Sequence, residues 1–242
     1  VDLAGAFAVR SEGDGFELFG GQHLAALAVT SASLAALIAG GRRLGPVGRR
    51  RARRVLAAAL AGQELGYHAW RRAGGTWNVQ EMLPLHLCSV LVWGGSANLL
   101  RPTGLGDDVT WYWGVAGVPQ ALLTPDVGEY GFPHYRFFQF FVSHGLVLAV
   151  PLWQVFVEGR RPTAAGARRA YAALLGHAAV VGAINHCLGS NYLYVNRKPA
   201  TASILDRLPA WPGYIPILAG VAAGAFALAY APFARRRPGT KG

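Results

Sequence analysis

The side chains of this chain that could carry chemistry lie inside apolar stretches. Glu64, Tyr67 and His68 form one group, His86 and Cys88 a second, and Gln120 and Thr124 a third. Arg136, Gln139, Ser143 and His144 form a fourth, and His177, Asn185, His186 and Asn191 a fifth. Two roles are open for Cys88: a small core residue, or a nucleophile once a neighbouring base makes the thiolate. His144 can serve a packing hydrogen bond or a catalytic role. Glu64 and His68, four residues apart, lie about 40° apart on a helix and can touch. They read as a hydrogen-bonded pair or as half of a metal site whose third ligand the sequence does not nominate. Arg136, Gln139, Ser143 and His144 cover about 140° of a helix and make a polar stripe. On a continuous helix His86 and Cys88 are about 200° apart and cannot share a partner. Cys187 reads as plain packing.

The elements that must position these groups follow from composition. Of the 242 residues, 52% are hydrophobic and only 14% charged. Soluble domains carry about 25% charged residues, so a soluble enzyme is excluded. Two cysteines in apolar segments offer no disulfide framework. A net charge of +11 would suggest nucleic acid in a soluble chain. Here the arginines come in bursts between apolar runs, so membrane topology accounts for them and no nucleic-acid partner is expected. A spanning helix needs roughly 20 apolar residues. Seven candidates run over 21–41, 54–70, 82–100, 109–124, 135–157, 169–189 and 213–233. The expectation is an all-α fold, a polytopic membrane helical bundle forming one integral membrane domain over 1–242. The fourth span is short and contains Pro119, which suggests a tilted, kinked or re-entrant segment. The first is not read as a cleaved signal peptide. Arg42 and Arg43 follow its apolar run, and Asp2, Glu12, Asp14 and Glu17 precede it.

Basic residues orient the bundle. Arg42, Arg43, Arg49, Arg50, Arg51, Arg53 and Arg54 are expected in or beside the first loop, and Arg101 after the third span. Arg160, Arg161, Arg168 and Arg169 precede the sixth span, and Arg235, Arg236, Arg237 and Lys241 end the sequence. Seven spans put all of them on one side, which the positive-inside rule assigns to the cytoplasm with the N-terminus outside. Trp70, Trp77, Trp211 and Tyr214 then mark the outer boundary. In this frame Cys88 lies about 9 Å below its helix start and His144 about 13–15 Å below its own. Glu64, Gln120 and Asn185 lie near the outer ends of the outward-running spans. Five helices deliver polar groups to one outer-half layer, which implies a polar cavity there.

Short motifs recur in order. Leu83-Pro84-Leu85-His86-Leu87-Cys88 opens the third span, and Gln120-Ala121-Leu122-Leu123-Thr124-Pro125-Asp126 closes the fourth. Phe132-Pro133-His134 leads into the fifth, which holds His144. Gly189-Ser190-Asn191-Tyr192-Leu193-Tyr194 and Lys198-Pro199 follow the sixth, and Trp211-Pro212-Gly213-Tyr214 opens the seventh. Over residues 60–215 this set resembles the bacterial YwaF-like integral membrane proteins and their eukaryotic seven-helix acyltransferase relatives, which make polyunsaturated ether phospholipids. The resemblance implies Cys88 as acyl-accepting nucleophile and His144 as its partner. An ordinary thiol, with a pKa near about 8.5, holds little thiolate at pH 7, so the chemistry requires the histidine contact. The thiolate attacks a phospholipid acyl ester, and a lyso-lipid hydroxyl or water takes the acyl group from the thioester. Asn185, Gln120 and Ser143 would then be oxyanion donors, with Glu64, His68 and Asn191 in supporting or substrate-binding positions.

Two other classes stand beside this one: a non-catalytic transporter or solute-binding protein, and a metal-dependent membrane lipid hydrolase. The sequence has no evident internal repeat for the former. It has no pair of histidines four apart on one helix face for the latter. No metal and no cofactor is expected, and membrane lipids are the expected substrate or surroundings.

Overall fold

The computed structural model describes residues 3–8, 15–199 and 204–234. Asp2, Glu12, Asp14, Arg235, Arg236, Arg237 and Lys241 lie outside these residues. Among the described residues every regular element is helical. A single turn, α1 (Leu3–Ala6), precedes seven long helices: α2 (Gly21–Arg43), α3 (Pro46–Ala73), α4 (Leu87–Leu100), α5 (Gly104–Leu123), α6 (Tyr135–Phe156), α7 (Ala164–Leu188) and α8 (Tyr214–Ala234). Short 3-10 turns at Tyr192–Tyr194 and Ile204–Arg207 lie between the last two. The chain is a helical membrane protein. Among the described residues four helices, α2, α6, α7 and α8, are long and apolar enough to cross a bilayer. α4, with 14 residues, is a shorter apolar helix. α3 and α5 have 28 and 20 residues, lengths of about 42 and 30 Å, but are more polar.

Several helix ends depart from the sequence expectation, each for a local reason. α3 begins at Pro46, not near residue 54. Proline at the first helical position is pre-set for a helix and lacks only an N–H that would be orphaned anyway. Arginine is a good helix former, so Arg49, Arg50, Arg51, Arg53 and Arg54 lie on the first turns of α3 and not in a loop. α5 begins at Gly104 because the Thr103 hydroxyl accepts from Gly106 N at 3.0 Å, and the helix continues through Pro119 to Leu123. α4 starts only at Leu87. Pro84 disfavours helix just before it, and His86 caps the helix with extended backbone (ψ 149°). The helical angle between His86 and Cys88 therefore does not apply. Thr163 caps α7 through Gly166 N at 2.9 Å, and Gly189 ends it in the left-handed conformation that glycine adopts without strain.

α6 is the hub. It packs on α2, α3, α4 and α5, and its Val147, Val150 and Trp153 are fully buried. Small residues let its neighbours approach. The Trp153 ring occupies the space a Cβ on Gly41 of α2 would need, Pro151 lies over Gly114 of α5, and Val150 and Leu60 meet at Gly95 of α4. On the outer faces of α2 and α8, Val29, Val221 and Leu228 stand exposed, as residues facing hydrocarbon do.

The two ends of the bundle differ in chemistry. At one, Arg42 donates to the Phe156 carbonyl, Arg53 pairs with Glu158, Arg160 with Asp107, and Arg169 with Asp108. At the other, Trp70 packs among Tyr67, Tyr130, His134 and Tyr135. These are called the basic and the aromatic end.

Candidate functional site

The polar groups of α3 and α6 meet near the aromatic end. Glu64 and His68, one turn apart on α3, face each other with 3.7 Å between Oε1 and Nε2. Trp77, from the loop after α3, donates its indole N–H to His68 Nδ1 at 2.9 Å. An indole nitrogen only donates, so Nδ1 is the acceptor and the hydrogen of the neutral ring lies on Nε2, toward the carboxyl. On the other side of Glu64, Gln63 Nε2 donates to Glu64 Oε2 at 3.4 Å and to the Leu60 carbonyl at 3.1 Å. Gln63 Oε1 accepts from Gln139 Nε2 across the helix interface at 3.1 Å. Gln139 Oε1 in turn accepts from the Arg136 guanidinium. A chain of polar contacts thus runs Trp77, His68, Glu64, Gln63, Gln139, Arg136 from α3 to α6.

Arg136 ends this chain over two aromatic faces. Its guanidinium carbon lies 5.0 Å from the Tyr67 ring centre and 5.3 Å from that of Phe140. It reaches the Asp126 carbonyl at 3.5 Å and interacts electrostatically with both Glu64 and His144. His144 stacks on Phe140 at 4.1 Å between centres, and its Nδ1 lies 2.8 Å from the Phe140 carbonyl one turn earlier. A carbonyl only accepts, so Nδ1 carries the hydrogen and Nε2 of the neutral ring is the basic nitrogen.

Cys88 stands in the first turn of α4, which packs against both α3 and α6. Helix register locates it relative to α6. α4 and α6 both run from the aromatic to the basic end, and Gly95 meets Val150. Cys88 and Ser143 each lie seven residues, about two turns, nearer the aromatic end on their own helices. His144 is the next residue along α6 after Ser143. No hydrogen bond joins Cys88 Sγ to His144 in this arrangement. Ser143 is buried.

The remaining sequence candidates stand apart from this chain. Gln120 is exposed on α5, and its carbonyl accepts from the Thr124 N–H and hydroxyl. Asn185 is buried with both amide hydrogens engaged, by the Tyr192 carbonyl and Asn196 Oδ1, while its own oxygen accepts from Ser190 and Tyr192. It folds the 189–196 segment back on α7 and has no hydrogen left for an oxyanion. Asn191 closes the same loop onto the backbone of Arg197 and Lys198. Cys187 is exposed. His23 and His177 hold the Leu122 and Leu85 carbonyls. Among the described residues no group of three or more His, Cys, Asp or Glu is placed to hold a metal ion.

Sequence reading missed Gln63 and Trp77 as parts of this centre and saw Arg136 and Gln139 only as a stripe. The available signal was Gln63 beside Glu64 and Gln139 one turn after Arg136. The bond between the two glutamines depends on helix packing, which no local pattern encodes.

Comparison with known proteins corrects the resemblance. The matching family model is that of the TMEM164 family, over residues 18–230, and no YwaF-like or acyltransferase family matches. The YwaF-like motifs are short stretches at helix ends, each weak alone, whereas the matching model spans nearly the whole bundle. No curated protein and no solved structure matches the chain. The protein is a member of the TMEM164 family.

Proposed function

We propose that this protein is a membrane enzyme that transfers or hydrolyses lipid acyl esters through Cys88, with His144 as the proton-transfer partner. The thiol proton passes to His144 Nε2 and the sulfur attacks the ester carbonyl. The carbonyl–oxygen bond breaks, the leaving lyso-lipid oxygen takes the proton from His144, and the acyl group remains as a thioester. A second hydroxyl, of a lyso-lipid or water, attacks the thioester. Its proton goes to His144 and then to the departing sulfur. Ser143, buried on α6, is the hydroxyl assigned to the developing oxyanion.

One observation carries this reading. His144, whose Nε2 is the basic nitrogen, shares α6 with a polar chain that ends in a guanidinium, and α6 packs on α4, whose first turn holds Cys88. Catalytic contacts are commonly long without substrate and tighten when it binds. The Arg136 charge suits the phosphate of a substrate headgroup. In the same reading residues 1–242 form one integral membrane domain. The basic end faces the cytoplasm and the site opens toward the outer leaflet.

The test is lyso-lipid release from phospholipid in detergent micelles, followed by mass spectrometry for wild type, Cys88→Ala and Cys88→Ser. The reading expects turnover in wild type and at least about 100-fold loss in both variants. Turnover that survives in Cys88→Ala at the wild-type rate overturns it.

A further inference from the structure

We propose that the exposed corner between α2 and α3 gathers anionic phospholipid, its guanidinium groups holding the lipid phosphates. The inference does not rest on the chemistry assigned to Cys88. Arg42 and Arg43 end α2, and Arg49, Arg50, Arg51, Arg53 and Arg54 follow Pro46 on α3. No acidic residue stands between Glu17 and Glu64 in the sequence. Three of these arginines are engaged by the fold. Arg53 pairs with Glu158 at 3.4 Å, and Arg42 donates to the Phe156 carbonyl at 2.9 Å. Arg49 donates to the Leu44 and Arg42 carbonyls at 2.9 and 3.4 Å, which answers the negative pole of α2. The side chains of Arg43, Arg50, Arg51 and Arg54 are exposed and make no hydrogen bond or ion pair among the described residues. The carboxylates of the basic end are committed elsewhere: Asp107 to Arg160, Asp108 to Arg169, and Glu158 to Arg53 and Arg160. Four positive charges at this corner are therefore uncompensated.

Helix geometry puts three of the four on one stripe. Val47, Arg50, Arg51, Arg54, Val55 and Ala58 fall within about 140° of α3, and all six are exposed. Arg53, Ala57 and Leu60 lie on another face, which turns into the bundle. A two-residue link, Leu44 and Gly45, ties the stripe to Arg43 at the end of α2, a helix long and apolar enough to cross a bilayer. The arginines thus stand where hydrocarbon gives way to headgroups. Their stems lie along apolar surface while the guanidinium groups reach the phosphates. Gly45 caps α3 without a side chain, so the positive end of that helix adds to the attraction. Choline cancels the phosphate charge of its own lipid, whereas an anionic headgroup keeps a net charge for the clustered cations to hold. Val47 and Val55, 54% and 67% exposed, select a lipid over a soluble polyanion. Beside a lipid they meet hydrocarbon, and beside a soluble polyanion they stay in water. Topology asks only that basic residues lie on one side of the membrane. Their concentration on one exposed corner is the additional feature.

The full-length protein in detergent micelles is titrated with phosphatidylglycerol or phosphatidylcholine, and native mass spectrometry counts the lipids bound. The expected result is that the first glycerol lipid binds at least about tenfold more tightly than the first choline lipid. Arg50→Gln, Arg51→Gln and Arg54→Gln together bring the two lipids to within about twofold of each other. The matching triple replacement by lysine, which keeps the charge, keeps the preference. Arg51→Gln alone weakens the glycerol lipid about fivefold. Arg207→Gln, at an exposed arginine between α7 and α8, leaves it unchanged. The wild-type comparison and the single variants keep the test decisive if the triple variant fails to fold. Equal binding of the two lipids by wild type, an undiminished preference in the triple glutamine variant, or equal losses in its lysine counterpart would overturn the proposal. So would an equal effect of Arg207→Gln and Arg51→Gln.

Discussion

Gln139 of α6 donates to the side-chain oxygen of Gln63 of α3 at 3.1 Å, and this bond joins two polar segments into one chain across the bundle. On the α3 side lie Glu64, His68 and Trp77. On the α6 side lies Arg136. Both glutamines also hold a charged neighbour, Glu64 for one and Arg136 for the other. The pair therefore sets how the carboxyl and the guanidinium face one another.

Gln63→Leu or Gln139→Leu should each cost about 1–3 kcal/mol, since each leaves a buried polar partner unsatisfied. The double replacement should recover part of that cost, with a coupling energy near about 0.6–1.7 kcal/mol, the range for polar contacts between membrane helices. Denaturant titration in mixed micelles provides the double-mutant cycle. Strict additivity of the two single losses would show that the bond contributes no coupling.

Gly41→Ala should destabilise the bundle by about 1–3 kcal/mol, because the added methyl meets the ring of the fully buried Trp153. Gly40→Ala, one position away with open space at its Cβ, should have little effect. Thermal unfolding of the two variants side by side checks this, and equal melting temperatures would contradict the packing at Gly41.

Asn185→Ala should lower stability by roughly 2–4 kcal/mol, since Tyr192, Ser190 and Asn196 all lose a partner. Below its melting temperature the variant should keep any acyl turnover, because Asn185 has no amide hydrogen left for an oxyanion. Turnover and unfolding measured on one preparation separate the two roles. A turnover loss of 100-fold or more in a fully folded variant would restore Asn185 to the site.

His144→Ala should reduce acyl turnover about 10²–10⁴-fold, the usual range for a positioned proton-transfer group. His177→Ala and His23→Ala are the comparison, since both rings hold backbone carbonyls. They should affect melting temperature more than turnover. Equal turnover losses in all three would remove the special role of His144.

Much of the architecture is legible in the sequence. Apolar runs separated by arginine bursts predict seven long helices, and helical spacing brings Glu64 to His68. Helix ends read less well. The arginine run after Pro46 resembles a loop in a topology count, yet arginine favours helix and proline starts one. The apolar run from Met82 looks like helix until Pro84 and the His86 cap delay it to Leu87. Asn185 resembles a catalytic amide by depth alone, and only its loop partners, Tyr192 and Asn196, give it a structural task. The Gln63–Gln139 bond depends on which faces of α3 and α6 meet, a tertiary choice with no local signature.

The most direct test of the central claim is the mass of the intact protein after incubation with phospholipid. Acyl-enzyme chemistry predicts an added acyl mass that peptide mapping assigns to Cys88 and that neutral hydroxylamine removes. Cys88→Ala should abolish the adduct and His144→Ala should reduce it. A folded wild-type protein that carries no adduct while it turns lipid over, or an adduct that persists in Cys88→Ala, would contradict the assignment.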